Sequence, residues 1–123
     1  MKVFSFEGLE VWKDVKSLTK EIYLLTNNFP DSEKFGLVSQ IRRATVSVSS
    51  NIAEGSARNS AKDQAHFYQI AYSSLMEVLS QLLISVELDY IKEDELLVHR
   101  EKISSTAYKL NALRAASLKR LKK

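Results

Sequence analysis

The sequence predicts an all-α fold: four helices in an antiparallel, up-down-up-down bundle. Three observations carry this. Apolar residues recur at spacings of three and four through four long stretches, the periodicity of a helix with one buried face. The chain of 123 residues has only three Gly and one Pro, too little turn material for a β-rich fold of this length. The stretches are separated by only a few residues, and short connections force neighbouring helices to run antiparallel. Residues 1–123 read as a single four-helix domain, long enough for one core and too short for two.

Residues 1–8 form a short lead containing Phe4 and Phe6, expected as an extended strap over one end of the bundle. The first helix is expected over residues 9–28, where Leu9, Trp12, Val15, Ile22 and Thr26 keep the three-four spacing and Val11, Leu18 and Leu25 widen the stripe. Asn27, Asn28, Phe29 and Pro30 end it, because Asn favours turns and Pro biases its predecessor away from helix. The second helix is expected over residues 32–58, with Pro30 suited to a helix start and Asp31 or Ser32 available as cap. Its apolar stripe is Val38, Ile41, Thr45, Val48 and Ile52.

The pattern loosens from Gly55 to Ser60, and Ser60 with Asp63 has capping-box spacing, which starts a third helix over residues 61–88. Phe67, Ile70, Ala71, Ser74, Leu75, Val78, Leu82 and Val86 are its expected buried side. Tyr90, Ile91 and Lys92 connect to a fourth helix over residues 93–120. Glu93, Asp94 and Glu95 occupy its first turn, where acids complement the positive end of the helix dipole. Leu96, Ile103, Thr106, Ala107, Leu110 and Leu113 form its apolar side.

Charge is unevenly spread. Residues 1–101 hold 11 Lys/Arg against 15 Asp/Glu, whereas residues 102–123 hold seven Lys/Arg and no acid. The basic character therefore concentrates in the last segment. The absence of Cys excludes disulfide and thiolate chemistry and suits a reducing compartment. No apolar run has the length of a signal peptide or a membrane span, so a cytoplasmic protein without a membrane partner is expected.

No catalytic set is legible. The only histidines are His66 and His99. Asp63 and His66 have the spacing of a bundle metal motif, but such a site needs a second acid-x-x-His copy and further inward carboxylates. The serines have no His-acid partners at recognisable positions, and there is no glycine-rich phosphate loop. The protein is expected to be no enzyme and to need no cofactor or metal.

The second helix carries a further pattern. Gln40, Arg43, Ser47, Asn51, Glu54 and Arg58 recur at helical spacing and are expected on the side opposite the apolar stripe. They form a ladder of hydrogen-bonding groups flanked by the small residues Ala44, Ser50, Ala53 and Gly55. Periodicity alone makes this a solvated face.

Several of these residues carry a resemblance. Phe6, Leu9, Val11 and Trp12, then Ile22 and Tyr23, then Phe29, Pro30, Glu33 and Phe35-Gly36-Leu37 begin the pattern. Gln40-Ile41-Arg42-Arg43-Ala44, Asn51-Ile52-Ala53-Glu54-Gly55 and Arg58 continue it, followed by Phe67, Ile70, Ala71, Ser74, Leu75 and Glu77. Over residues 6–91 the chain resembles the bacterial 23S rRNA intervening-sequence protein family. It departs from the usual pattern at Ser73 and Asp89, where glycine is common.

The resemblance implies a four-helix bundle assembled as a homopentameric ring. A related branch, the accessory proteins of diversity-generating retroelements, is a basic pentamer that binds a reverse transcriptase and nucleic acid. With the resemblance, the ladder of Gln40, Arg43, Ser47, Asn51, Glu54 and Arg58 becomes an expected subunit contact.

The candidate nucleic-acid surface is the basic run of Lys102, Lys109, Arg114, Lys119, Arg120, Lys122 and Lys123, with Lys102, Lys109 and Arg120 along one side of the fourth helix. Helix-end charge complementarity is its competing reading. Tyr68, Tyr72 and Tyr108 could stack on bases, though packing at a buried edge is the better expectation. The expected function is non-specific, salt-sensitive binding of RNA or DNA, structured RNA or a ribonucleoprotein first. The alternative is a protein-interaction scaffold or accessory subunit, for example for a reverse transcriptase.

Overall fold

The structure, a computed structural model, describes residues 3–121. Its helices are α1 (Glu10–Thr26), α2 (Leu37–Ser56), α3 (Ala61–Glu87) and α4 (Glu93–Arg120), and no strand occurs among the described residues. Each helix packs on two others: α1 and α3 both lie between α2 and α4. The cross-helix bonds give the directions. Lys102 meets Glu21 while Lys109 meets Glu10, so α4 descends as α1 rises. Gln40 meets Gln81 while Ser47 meets Ser74, so α2 and α3 are antiparallel too.

The core follows the helical stripes. Val15, Leu18 and Ile22 of α1 meet Ile41, Val48 and Ile52 of α2, Leu75, Val78 and Leu82 of α3, and Ile103 and Leu110 of α4. Removing such a side chain from water contributes about 1.5–3 kcal/mol each. On α3 the stripe is rotated from the expected one. Tyr68 is buried, whereas Phe67, Ile70 and Val86 are only half-buried. Phe67 sits on the shoulder facing α2, where the Arg58 guanidinium lies 4.6 Å from its ring centroid.

Several boundaries differ from the sequence expectation, among them the end of α2, which stops at Ser56 and leaves Arg58 just beyond the helix. The lead is not extended: Ser5–Gly8 is a 3-10 turn that sets the Phe6 ring edge-on to Trp12 at 5.0 Å. α1 stops at Thr26, where the Thr26 hydroxyl donates back to the Ile22 carbonyl at 2.8 Å. α2 begins at Leu37, because Asp31–Glu33 form a separate 3-10 turn after Pro30. Glu33 then acts as the cap from outside the helix, its Oε1 accepting the Leu37 N–H at 3.2 Å. Its Oε2 accepts the Tyr90 hydroxyl at 2.8 Å, which ties the α1–α2 connection to the α3–α4 connection. The Ser60 hydroxyl accepts the Asp63 N–H at 3.0 Å and caps α3 as its spacing implies.

α2 and α3 approach closely at Gly55. A Cβ built there would stand 2.7 Å from Tyr68 Cε1 and 3.2 Å from Phe67 Cβ. Since the Tyr68 ring is only 4% exposed, it has little room to retreat. α3 ends by placing Asp89 at φ 62, the left-handed region that glycine occupies without steric cost. The Tyr90 N–H returns to the Ser85 carbonyl at 2.9 Å and the Asp89 N–H to Val86 at 3.0 Å, which completes a Schellman stop.

Two stability outcomes follow. Asp89→Gly removes the left-handed cost and raises stability by about 0.5–1 kcal/mol, a few degrees in Tm. Gly55→Ala gains up to about 1 kcal/mol of helix propensity but overpacks Tyr68 for about 1–3 kcal/mol, so it destabilises on balance. Thermal unfolding followed by circular dichroism checks both signs. A rise in Tm for Gly55→Ala would contradict the close approach.

Candidate nucleic-acid and subunit surfaces

The polar ladder of α2 lies on the shoulder facing α3, rather than directly opposite the core. Asn51 Nδ2 donates to the Ser47 carbonyl at 2.8 Å and to Ser47 Oγ at 3.1 Å. Ser47 Oγ in turn lies 3.0 Å from Ser74 Oγ of α3. Gln81 Nε2 reaches Gln40 Oε1 at 3.4 Å, while Gln81 Oε1 is buried without a partner. Glu54 and Arg58 pair along the helix at 3.1 Å. An open groove of about 330 Å³ runs between Gln40, Arg43 and Ser47 of α2 and Ser74, Glu77 and Gln81 of α3. Five of the six ladder residues therefore have a partner within the subunit, Arg43 being the exception among the described residues, and Gln40, Arg43, Glu54 and Arg58 are exposed.

The basic run divides in two. Lys109 Nζ binds Glu10 at 2.7 Å and Asp14 at 2.5 Å, and Lys102 binds Glu21. These lysines clamp α4 to α1, and their charge is answered inside the subunit. Arg114 and Lys119 are exposed and, among the described residues, face no carboxylate within ion-pair distance. Arg120 is exposed and donates to Gln64 Oε1. Lys122 and Lys123 lie outside the described residues. Of the tyrosines, Tyr68 is buried, Tyr72 is half-buried and Tyr108 is 78% exposed.

A third surface escaped the sequence reading. Lys13, Lys16 and Lys20 of α1 are all exposed and have no carboxylate partner among the described residues. They line an open groove of about 820 Å³ with Trp12 and Tyr23. Lys16 Nζ lies 5.6 Å from the Trp12 ring centroid. At the other end the Arg42 guanidinium lies 4.5 Å from the Tyr23 centroid and donates to the Tyr23 carbonyl, Thr26 Oγ1 and Asn27 Oδ1. The signal was present: the three lysines recur at spacings of three and four, and Glu10, Asp14 and Glu21 recur one shoulder away. Only the docking of α4 shows that the acids are neutralised and the lysines are not.

Charge is also polarised along the helix axes. The end holding the α1–α2 and α3–α4 connections carries Asp31, Glu33, Glu87, Asp89, Glu93, Asp94 and Glu95 against Lys34 and Lys92. The opposite end, which also holds the start of α1, carries Arg58, Lys62, Lys109, Arg114, Lys119 and Arg120 against Glu7, Glu10, Glu54 and Asp63.

His66 is exposed beside Phe67, and His99 Nδ1 is buried 4.0 Å from Glu21 Oε2 without a hydrogen bond. Among the described residues no group of three or more His, Asp or Glu is placed to hold a metal ion. No helix among them is long and apolar enough to cross a membrane.

Comparison with known proteins finds a matching family and solved structures of similar fold. The sequence model of the family described as "23S rRNA-intervening sequence protein" matches residues 7–112. A solved structure of a protein of unknown function from the S23 ribosomal protein family of Bacteroides thetaiotaomicron VPI-5482 superposes with a TM-score of 0.60. It shares 20% identity, and the match covers 92% of this chain and 99% of that one. At that identity the likeness speaks for the fold alone. No curated protein matches the chain.

The clamps predict alkaline sensitivity. Hydrogen bonds that the Lys109 ammonium donates to Asp14 and then Glu10 raise its pKa against an opposing desolvation. Its contribution is therefore full below about pH 10 and lost as pH climbs through the raised value. Tyr90 is raised by its bond to Glu33, and Tyr68 by burial with Arg120 pulling it back. Unfolded tyrosine ionises first, from about pH 10, so both phenols act in the same direction. Tm should fall above about pH 10, with Lys109→Met and Tyr90→Phe each making the fall shallower. An unchanged slope in the double variant would refute these assignments.

Proposed function

The chain belongs to the 23S rRNA-intervening sequence protein family, and on that footing we propose that it is a non-enzymatic oligomer that binds nucleic acid non-specifically through a basic surface. The observation that carries this reading is the opposed charge of the two ends. Arg58, Lys62, Arg114, Lys119 and Arg120 gather at one end, where cations outnumber carboxylates, while Asp31, Glu33, Glu87, Asp89, Glu93, Asp94 and Glu95 outnumber Lys34 and Lys92 at the other. A polyanion is attracted to the first and repelled from the second, and counterion release supplies affinity without reading sequence. The family description refers to 23S rRNA and that of the related structure to a ribosomal protein family, which favours structured RNA or a ribonucleoprotein over DNA.

The proposed assembly is a homo-oligomeric ring of five subunits. Arg43 is exposed and unpaired among the described residues, and the exposed Glu54–Arg58 pair lies on the same ladder, so these groups suit directional contacts at a subunit boundary. Repetition of the basic end around a ring would turn a modest charge into a multivalent surface.

One observation favours a second reading, a protein-interaction scaffold or accessory subunit for a partner such as a reverse transcriptase. Leu83 and Ile84 of α3, Leu88 just past its end, and Leu97 and Val98 of α4 are 42–58% exposed, all toward the acidic end. Aliphatic side chains left in water in such number suit a protein partner.

Electrophoretic mobility shifts with structured RNA, at several salt concentrations, test the first reading. Binding should weaken steeply with salt. Replacing Arg114, Lys119 and Arg120 with Gln should lower the slope of log K against log salt by roughly 2–3. Light scattering on Arg43→Ala with Glu54→Ala tests the assembly, and an unchanged mass would overturn the α2 contact. A partner protein that stays bound after nuclease treatment, with no RNA affinity of the purified protein, would favour the scaffold instead.

A further inference from the structure

We propose that the outer face of α1 is a track for single-stranded nucleic acid, formed by Lys13, Lys16 and Lys20 between the rings of Trp12 and Tyr23. This rests on the nucleic-acid reading above and gives it a second site, on the side of the molecule rather than at its basic end.

The argument begins with the charges of α1. It carries three acids and three lysines: Glu10, Asp14 and Glu21 turn toward α4, where Lys109 and Lys102 bind them. Lys13, Lys16 and Lys20 turn to solvent on the adjoining face. Without that pairing the helix would be nearly neutral to an approaching polyanion. With it, the outer face is a line of cations spanning roughly 10 Å at about 1.5 Å per residue. Arg42 adds a fourth cation beside Tyr23, bonded to neutral groups. The carboxylate on this groove is Glu7, which already accepts the Phe4 N–H at its N-terminal end.

The aromatic rings decide the kind of polymer. Trp12 and Tyr23 line the same groove as the lysines and stand roughly 16 Å apart along the helix. A duplex hides its base faces and offers only phosphates, so the rings would add nothing to its binding. A single strand offers both phosphates and stackable bases. Cations interleaved with aromatic rings in an open groove match that chemistry, and they carry no base-edge code.

Trp12 is the single tryptophan of the chain, so the site carries its own reporter. The full chain is titrated with a uridine homopolymer oligonucleotide and with a duplex of equal length. The expected result is quenching of Trp12 fluorescence by the single strand, with affinity about tenfold above that for the duplex. Lys13→Gln, Lys16→Gln and Lys20→Gln combined should lower the salt slope for the single strand by about 2. These side chains are exposed, and an unchanged circular dichroism spectrum and Tm control for folding. The Arg114, Lys119 and Arg120 variant should retain the quenching.

Single-strand binding by the triple lysine variant at wild-type strength would overturn the track while leaving the nucleic-acid reading standing. Equal or tighter duplex binding without quenching would do the same. If the wild-type chain bound neither polymer nor structured RNA at low salt, both readings would fall together.

Discussion

The close approach of α2 and α3 is the constraint on which the rest of the molecule depends. It is possible because the facing residues are small: Ala44, Ser47 and Gly55 on α2, Ala71 and Ser74 on α3. The Tyr68 ring lies against the α2 backbone where Gly55 has no side chain. With that pair fixed, the stripes of Ile41, Val48 and Ile52 and of Leu75, Val78 and Leu82 point to a common interior. α1 and α4 then cover it from the other side. A larger residue at the Gly55 contact would push the pair apart and misalign every layer above it, because interiors are close-packed and transmit such displacements.

α1 is held differently. Besides its apolar stripe it is fixed by polar clamps at both ends. Lys102 and Lys109 take its carboxylates, and Arg42 sits at its C-terminal turn, bonding the Tyr23 carbonyl. A cation at that end also satisfies the helix dipole. Half-exposed ion pairs of this kind contribute little to stability by themselves. Their larger consequence is electrostatic. They remove negative charge from one shoulder of α1 and so determine the sign of the potential on its outer face.

Much of this was legible in the sequence, for a physical reason. The apolar stripes of α1 and α2 were readable because burial there follows helical period, and Val38, Ile41, Thr45, Val48 and Ile52 are all buried. Where the reading shifted, a neighbour rather than the local pattern decided. Phe67 reads as more apolar than Tyr68, yet it is the Tyr68 ring that packs into the space Gly55 leaves, with Phe67 touching it only through Cβ. α2 starts late because Glu33 bonds Leu37 and Tyr90 at once, and the Tyr90 contact is 57 residues away in sequence. The site was less legible still. Lys102 and Lys109 look like free cations until α1 is docked, and Lys13, Lys16 and Lys20 look balanced by adjacent acids until those acids are spoken for. Charge is a property of the assembled surface, and a linear sequence lists its members without their pairings.

That distinction also bears on the choice between recognition and attraction. A site that reads bases needs fixed donors and acceptors at base edges, held by a rigid second layer. The unpaired cations here are long, exposed side chains, and the groove around Lys13, Lys16 and Lys20 is open. Such groups follow a polyanion's charge and tolerate any sequence. Their individual contributions are small and fall with salt. Affinity would then have to come from number. In the proposed oligomer, basic ends brought together would act at high effective concentration on one strand, whereas the acidic ends would repel it. The polarity of one subunit would thus give the whole assembly a binding side. For a protein of this kind, the number and arrangement of subunits would matter more to affinity than any one lysine.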